Sequence, residues 1–530
     1  MVRKIKVGII GAGPNGISAA IPFLKEKNYE VKIICSGESL FNENLFDLQN
    51  HLRKLSIQEK HDYWKDNQIG SKTLIPQKVF FGSDKIFQNK ITDLKIEKDI
   101  NLNTSHSIGG LSNVWGANVC AFSQNDLNKY HANQKVLIKE LEAITGLFPI
   151  SGYKDDIDHD SNYSINYFKK NLNYCHQATK LYQNYNKYLE YFKKKKIRVG
   201  YAKLAIQSEN STHDSNCENC GLCMYGCHKN SIFNPTFFLE NIKNETQVYE
   251  NTLIKNINYK NENHIEVNGL TKENQTYNEK FDKIILTAGS IDTTKLVLKL
   301  HESKNVSSFK IKDSKKYFFL YFSFYKSPPK EEQKTIGLSQ LFLQTDLEGH
   351  TFHIQLYHSI LLLENVLKNL LPIKIKSIFK KILSPIINRL MIGVIYFPQE
   401  VSDYMHMSYD KNSKLFNLKS GKNSSKAIKY LTKIFIKLFT PIFKLKGFPI
   451  PLFIKAKLGE GQHFGASMPM SEEPSEGQTH LDGSLQGFKN IYIADISSLT
   501  RIPSTPPTFM TMSNAYRISK KIISRNKLGN

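Results

Sequence analysis

The opening segment restricts the fold more than anything that follows it. Lys6-Val7-Gly8-Ile9-Ile10 is a short apolar strand, and Gly11-Ala12-Gly13-Pro14-Asn15-Gly16 follows at once. Residues Ile17 to Leu24 then read as a helix, and Val31-Lys32-Ile33-Ile34 as the next strand. In such a unit the first glycine makes the tight turn and the second lets a pyrophosphate approach the backbone. The third allows close packing of helix on strand, and the helix N-terminus offers unpaired N–H groups to phosphate. The unit predicts an α/β, Rossmann-like domain that holds a dinucleotide through Gly11, Gly13 and Gly16. The acidic residue that ordinarily ends the second strand and holds the ribose is missing, because the chain there reads Cys35-Ser36-Gly37-Glu38. Glu38 is the nearest substitute.

One such domain does not exhaust 530 residues, so a second lobe is expected. With 40% apolar residues the chain can bury a core, which excludes wholesale disorder. No apolar run is long enough for a polytopic membrane protein. A signal peptide would have to be cleaved through the glycine motif, so a cytoplasmic location is expected. There, clustered thiols point to metal rather than disulfides.

Three later segments bear on the choice of cofactor. Ser107 to Ala117 is a glycine-rich loop containing Gly110, Ser112 and Asn113. Asp282 to Ser290 is an apolar strand ending in the small residues Ala288 and Gly289. Asn490-Ile491-Tyr492-Ile493-Ala494-Asp495 is a strand ending in an aspartate, followed by Pro503-Ser504-Thr505-Pro506-Pro507-Thr508 and a helix from about Phe509. In this order the four blocks resemble the glucose–methanol–choline family of flavin oxidoreductases, over about half of the chain. The resemblance implies noncovalent FAD, since no histidine stands at Asn113, Val114 or Trp115 for covalent attachment. Gly110, Ser112 and Asn113 would approach the flavin, Ala288 and Gly289 would lie beside it, and Asp495 and Thr508 would contact the cofactor. It also implies a discontinuous FAD domain made of residues 1–300 and 461–530, with a helical segment at 126–200 and a cysteine-rich loop at 215–230. Residues 301–460 would form an α+β substrate lobe on an antiparallel sheet.

Oxidising a CH–OH group by hydride transfer to flavin N5 needs a base that takes the hydroxyl proton near neutral pH, a task suited to histidine. Gly461-Gln462-His463-Phe464-Gly465 resembles the family's histidine block, which makes His463 the candidate base among 16 histidines. The family's second polar residue falls in register on Pro506, whose side chain can neither donate nor accept a hydrogen bond. Asn113 and Thr508 are the nearest replacements. A catalytically silent flavin-binding protein is the competing reading.

Cys217, Cys220, Cys223 and Cys227 have the spacing C-x2-C-x2-C-x3-C, used for iron–sulfur clusters, and tetrahedral zinc fits four thiolates as well. A cluster would relay electrons to an outside acceptor and favour a dehydrogenase over an oxidase. The net charge of +24 is concentrated. Residues 365–399 carry Lys368, Lys374, Lys376, Lys380, Lys381 and Arg389 with no acidic residue, and residues 411–459 carry twelve lysines with none. Lys422, Lys426, Lys429, Lys433 and Lys437 recur at helical spacing among bulky apolar residues. This pattern fits an anionic membrane surface, a solvated face whose apolar side packs inward, or an anionic substrate. No nucleic-acid motif is present, and the expected substrate is a small or lipid-linked alcohol.

Overall fold

In the computed structural model, the described residues are 3–40, 42–66, 78, 81–88, 92–129, 140–145, 148–158, 172–209, 215–242, 246–262, 264–302, 306–328, 334–358, 385–422 and 426–528. Lys368, Lys374, Lys376, Lys380 and Lys381 lie outside them, as do parts of the 126–200 segment.

The opening unit folds as its pattern requires. Strand Ile5–Ile10 pairs in parallel with Tyr29–Ile34 on one side and Lys283–Leu286 on the other. Gln247–Tyr249 and Ile491–Ile493 complete a five-stranded parallel sheet. Both faces are covered, which explains the near-continuous apolar runs of its strands. Helix Pro14–Leu24 and the C-terminal helix Thr508–Leu528 share one core with it through Ile17, Ala20, Ala515, Ile518 and Ile522. On the other core, Val297 and Leu298 of helix Gly289–Leu300 pack with the meander Thr252–Asn261, His264–Thr271 and Thr276–Phe281. The last strand and helix of the chain thus return to the first.

The second lobe is built on a six-stranded antiparallel sheet, as expected. Its order is Gly447–Lys455, Lys316–Ser323, Leu390–Tyr396, His350–Tyr357, Ser339–Leu347 and Ile197–Tyr201. The outermost strand, Ile197–Tyr201, comes from well before residue 301. Side chains alternate across a strand. Tyr317, Phe319 and Tyr321 therefore pack against Leu431, Ile434, Phe435 and Leu438 of helix Lys426–Phe439. Lys316, Phe318 and Leu320 face the interior of the molecule and line its large cavity. The lysine-bearing helix thus does pack its apolar side inward. Lys422 precedes it, at the end of strand Leu415–Gly421.

No described helix is long and apolar enough to cross a membrane.

Candidate active site

The parallel sheet and the six-stranded sheet enclose a cavity of about 1020 Å³. Its wall includes Gly11, Ala12, Gly13 and Asn15 from the glycine turn, and His463, Tyr396 and Lys316. The glycine turn is shaped by backbone proximity. Gly11 has φ +113°, and a Cβ there would sit 2.5 Å from the Thr287 carbonyl oxygen. A Cβ on Gly16 would lie 1.9 Å from the Gly11 carbonyl oxygen, so Gly16 lets helix and turn touch without lining the cavity itself. A Cβ on Gly13, Gly110 or Gly289 would meet nothing within 4 Å, and all three stand on the cavity wall.

Gly13 caps its helix without a side-chain bond, and Asn15 Oδ1 is buried at the wall without a partner. Open glycine faces, an uncapped helix N-terminus and an orphaned polar atom in an elongated cavity fit a dinucleotide's pyrophosphate. Ala288, Ser112 and Thr508 also line the cavity, as the resemblance implies.

Three expected site residues are placed otherwise. Glu38 is not among the lining residues: its carboxylate accepts from Lys272 at 3.1 Å and lies 3.6 Å from Lys85, and the Lys272 bond holds it below the ordinary carboxylate range. Ser36 lines the cavity at that strand end instead. Asn113 turns its amide into the protein, donating to the Ile108 carbonyl at 2.8 Å and accepting from Asn234 at 2.7 Å. It braces the glycine-rich loop and has no side-chain atom left for chemistry. Asp495 is buried behind the wall, accepting from Gly289 N–H at 2.9 Å, Thr293 Oγ1 at 2.6 Å and Ser497 N–H at 2.9 Å. Its work is to fix the start of the helix that carries Gly289. We expect Glu38→Gln to bind as much flavin as the unaltered chain, measured as the flavin-to-protein ratio after gel filtration. A ratio halved or worse would return Glu38 to the site.

His463 is held from both sides. Its carbonyl accepts from Ser314 N–H at 3.0 Å, and the next residues, Phe464–Gly465, pair with Lys312 and Asp313. Asp313 accepts from Gly459 N–H at 2.9 Å, closing the loop that leads in. The imidazole stacks on Tyr396, ring centroids 4.7 Å apart, and its Nδ1 is buried without a partner. Burial, with the Lys316 ammonium adding to it, pushes its pKa down to about 3, so the ring is uncharged at neutral pH.

Pro506 lines the same cavity, so the usual second polar group is indeed absent there. Lys316 lines it too. It is buried, donates to the Glu460 carbonyl at 3.1 Å, and its pKa is pushed down to about 8 by burial against the opposing pull of Glu460 and Asp313. Lys316, Tyr396 and His353 are cross-strand neighbours in one transverse row of the sheet. Nearby, Asn118 Nδ2 donates to Gln355 at 3.2 Å and to Tyr357 at 3.3 Å, giving the wall a small polar patch. None of these residues carried a sequence signal. They stand singly in the divergent lobe, and only strand register brings them together.

Burial keeps His353 and His358 neutral as well, at about 3 and about 4. An unfolded histidine titrates near 6.5, so these groups contribute stability above that pH that is lost as pH falls toward 3. At a few kcal/mol for each such shift, acid unfolding should be steep. We expect His353→Leu to flatten the fall of Tm between pH 6.5 and 4, and an unchanged slope would contradict the assignment.

The four cysteines line a loop whose Met224 reaches the cavity wall. Each thiol faces a backbone N–H: Asn219 on Cys217 at 3.4 Å, Leu222 on Cys220, Gly337 on Cys223 at 3.4 Å, and Ser231 on Cys227 at 3.2 Å. Such donors stabilise thiolates, as around iron–sulfur clusters. The candidate ligand atoms that lie within 4.8 Å of one another, among the described residues, belong to Glu218, Cys220 and His228, not to the four thiols.

No protein-family model and no curated protein matches the chain by sequence. Solved structures do match its fold. Pyridoxine 4-oxidase from Mesorbium loti aligns over 98% of this chain and 99% of its own, with TM-score 0.62 and 10% identity. A formate oxidase variant from Aspergillus oryzae RIB40 aligns over 99% of both chains, with TM-score 0.63 and 12% identity. From end to end, then, the polypeptide shares the fold of these two oxidases.

Proposed function

We propose that the protein is an FAD-dependent oxidoreductase that oxidises a CH–OH group, with His463 as the base. The observation that carries this reading is a half-buried histidine whose Nδ1 is shielded from solvent and unpartnered, lining the same cavity as glycines whose open faces leave room for a pyrophosphate. Bound noncovalently, FAD supplies the acceptor for the hydride. The chain supplies the rest. Gly11, Gly13, Asn15, Ser36, Gly110 and Gly289 hold the cofactor, and His463 takes the substrate's hydroxyl proton. Lys316 stabilises the negative charge that develops on that oxygen, filling the role left empty at Pro506.

The sign of the pH dependence follows. His463 is already neutral at pH 5, so it imposes no acid limb near 6.5. Lys316 loses its proton near pH 8, so kcat/KM for a neutral alcohol should fall above about 8. Lys316→Met should lower kcat/KM by roughly 10–100-fold and abolish that limb, while Lys316→Arg keeps part of the rate and moves the limb upward. A pH profile identical in Lys316→Met would remove Lys316 from the mechanism.

Both neighbours named above are oxidases. The cysteine loop supports a dehydrogenase here, because an iron–sulfur centre offers electrons an outlet other than O₂. Iron and acid-labile sulfide assays on anaerobically purified protein, with an oxygen electrode, test this. Zinc alone, or stoichiometric O₂ consumption, would point back to an oxidase.

A further inference from the structure

Ten large apolar side chains are exposed among the described residues, and six of them come from residues 428–453. Four are more than three-fifths exposed: Ile428 (61%), Ile436 (63%), Phe443 (74%) and Leu452 (68%). Scattered apolar residues on a surface need no explanation, but a contiguous group rimmed by charge does. These are contiguous. Helix Lys426–Phe439, the short helix Ile442–Leu445 and edge strand Gly447–Lys455 pack on one another, through Phe435 on Phe453 and Phe439 on Phe448 with centroids 6.4 and 5.3 Å apart.

The helix divides into three sectors. At ~100° per residue, Ile428, Phe439, Thr432 and Ile436 fall within about 80°, and Lys429, Lys433, Lys426 and Lys437 within the next ~80°. Tyr430, Ile434, Leu438, Leu431 and Phe435 occupy the remainder and are buried. A helix that merely covered a sheet would need only the buried and polar sectors. The exposed apolar sector borders the buried Phe435, which touches Phe453 of the edge strand.

That edge strand also borders the cavity. Leu452 and Phe453 are exposed to solvent and at the same time line the cavity, and Ile454, Phe318, Leu320 and Ile392 continue the apolar wall inward. The apolar patch and the mouth of the cavity are one surface. Lys426, Lys429 and Lys455 are exposed around it; no acidic residue occurs in 411–459, and Glu348, which lies against the helix from outside that stretch, is paired with Lys433 and Tyr430.

We propose that this face docks on an anionic lipid bilayer, its apolar residues entering the acyl boundary and its lysines meeting the headgroups, so that the cavity opens toward the lipid. Charge complementarity and continuity with the mouth select this occupant. The docking stands on the surface alone. The corollary, that the substrate is a bilayer-dissolved alcohol, rests on the function proposed above.

The test uses the full-length, flavin-loaded protein and vesicles of phosphatidylcholine with and without phosphatidylglycerol. Sedimentation should recover the protein with the anionic vesicles at low salt, at least tenfold less with phosphatidylcholine alone, and at least tenfold less for Ile436→Glu/Phe443→Glu. Both substituted residues are exposed, so folding is checked simply by an unchanged Tm and flavin content. Orientation is read separately. A tryptophan in Leu452→Trp should be quenched by vesicles containing brominated lipid, whereas one in Phe46→Trp, on the FAD lobe, should not. Protein that stays in the supernatant with anionic vesicles, a double variant that binds undiminished, or equal quenching at both positions would each overturn docking. So would a lipid-indifferent dimer that the double variant converts to monomer. Docking without turnover of any alcohol would leave this proposal standing and remove the proposed reaction instead.

Discussion

Replacing His463 by alanine should slow substrate-dependent reduction of the bound flavin by ~10²–10⁴-fold, the usual worth of a positioned general base. The flavin content should not change, because the glycines proposed to hold the cofactor, Gly11 and Gly13, belong to a different element of the cavity wall. The ring stacks on Tyr396 and is half-buried, with Nδ1 shielded from solvent, so alanine also leaves a gap beside that tyrosine. His463→Asn separates the two effects: it fills much of the space but is a poor base at neutral pH. If His463→Asn reduces its flavin at the unaltered rate under anaerobic stopped flow, His463 is a packing residue and the mechanism is wrong.

The second large effect distinguishes two glycines of one motif. Gly13 has φ −81°, which any residue can adopt, and its absent Cβ points into open space on the cavity wall. Gly13→Val should therefore fold and fill the pyrophosphate site, retaining less than about a tenth of the normal flavin. Gly16 is different, because a Cβ there would press into the backbone oxygen of Gly11. Gly16→Ala should destabilise the FAD lobe by ~4 kcal/mol or more, a size reached only by gross steric or cavity effects. Thermal melts and flavin content, measured together, give opposite signatures. Near-normal Tm without flavin is expected for Gly13→Val, and low Tm for Gly16→Ala. Flavin retained in Gly13→Val would show that the cofactor is held elsewhere.

The parts legible in the sequence were those whose signal is local. Strand, glycine turn and helix lie within the first twenty-four residues, and each glycine answers to a nearby steric demand. The antiparallel lobe could be expected, but not its outer strand, since Ile197–Tyr201 joins it from far upstream. Among site residues, His463 and the glycines were readable because they sit in blocks. Glu38, Asn113 and Asp495 were of the right type at the right spacing, yet their side chains are engaged with Lys272, Asn234 and Thr293. Residue type and spacing do not reveal which way a polar group is already committed. Lys316 could not be found at all: its significance comes from standing opposite Tyr396, on which His463 stacks, and a single lysine in a lysine-rich lobe is indistinguishable from its solvated neighbours.

The basic excess divided similarly. The spacing of Lys426, Lys429, Lys433 and Lys437 showed an amphipathic helix, and the buried Leu431, Ile434 and Leu438 show that its inner face is ordinary core. What periodicity could not show was that Ile428, Ile436 and Phe439 form a separate outward stripe, because that depends on where the sheet ends.

Whether the cavity holds FAD, and whether His463 makes it an alcohol-oxidising site, can be read from the visible absorption spectrum of the anaerobically purified protein, recorded before and after adding a panel of short- and long-chain alcohols. The protein should be yellow, with one flavin per chain whose absorbance is bleached by at least one alcohol, and is not bleached in His463→Asn on the same timescale. A protein that stays colourless and takes up no flavin when FAD is supplied would contradict that expectation.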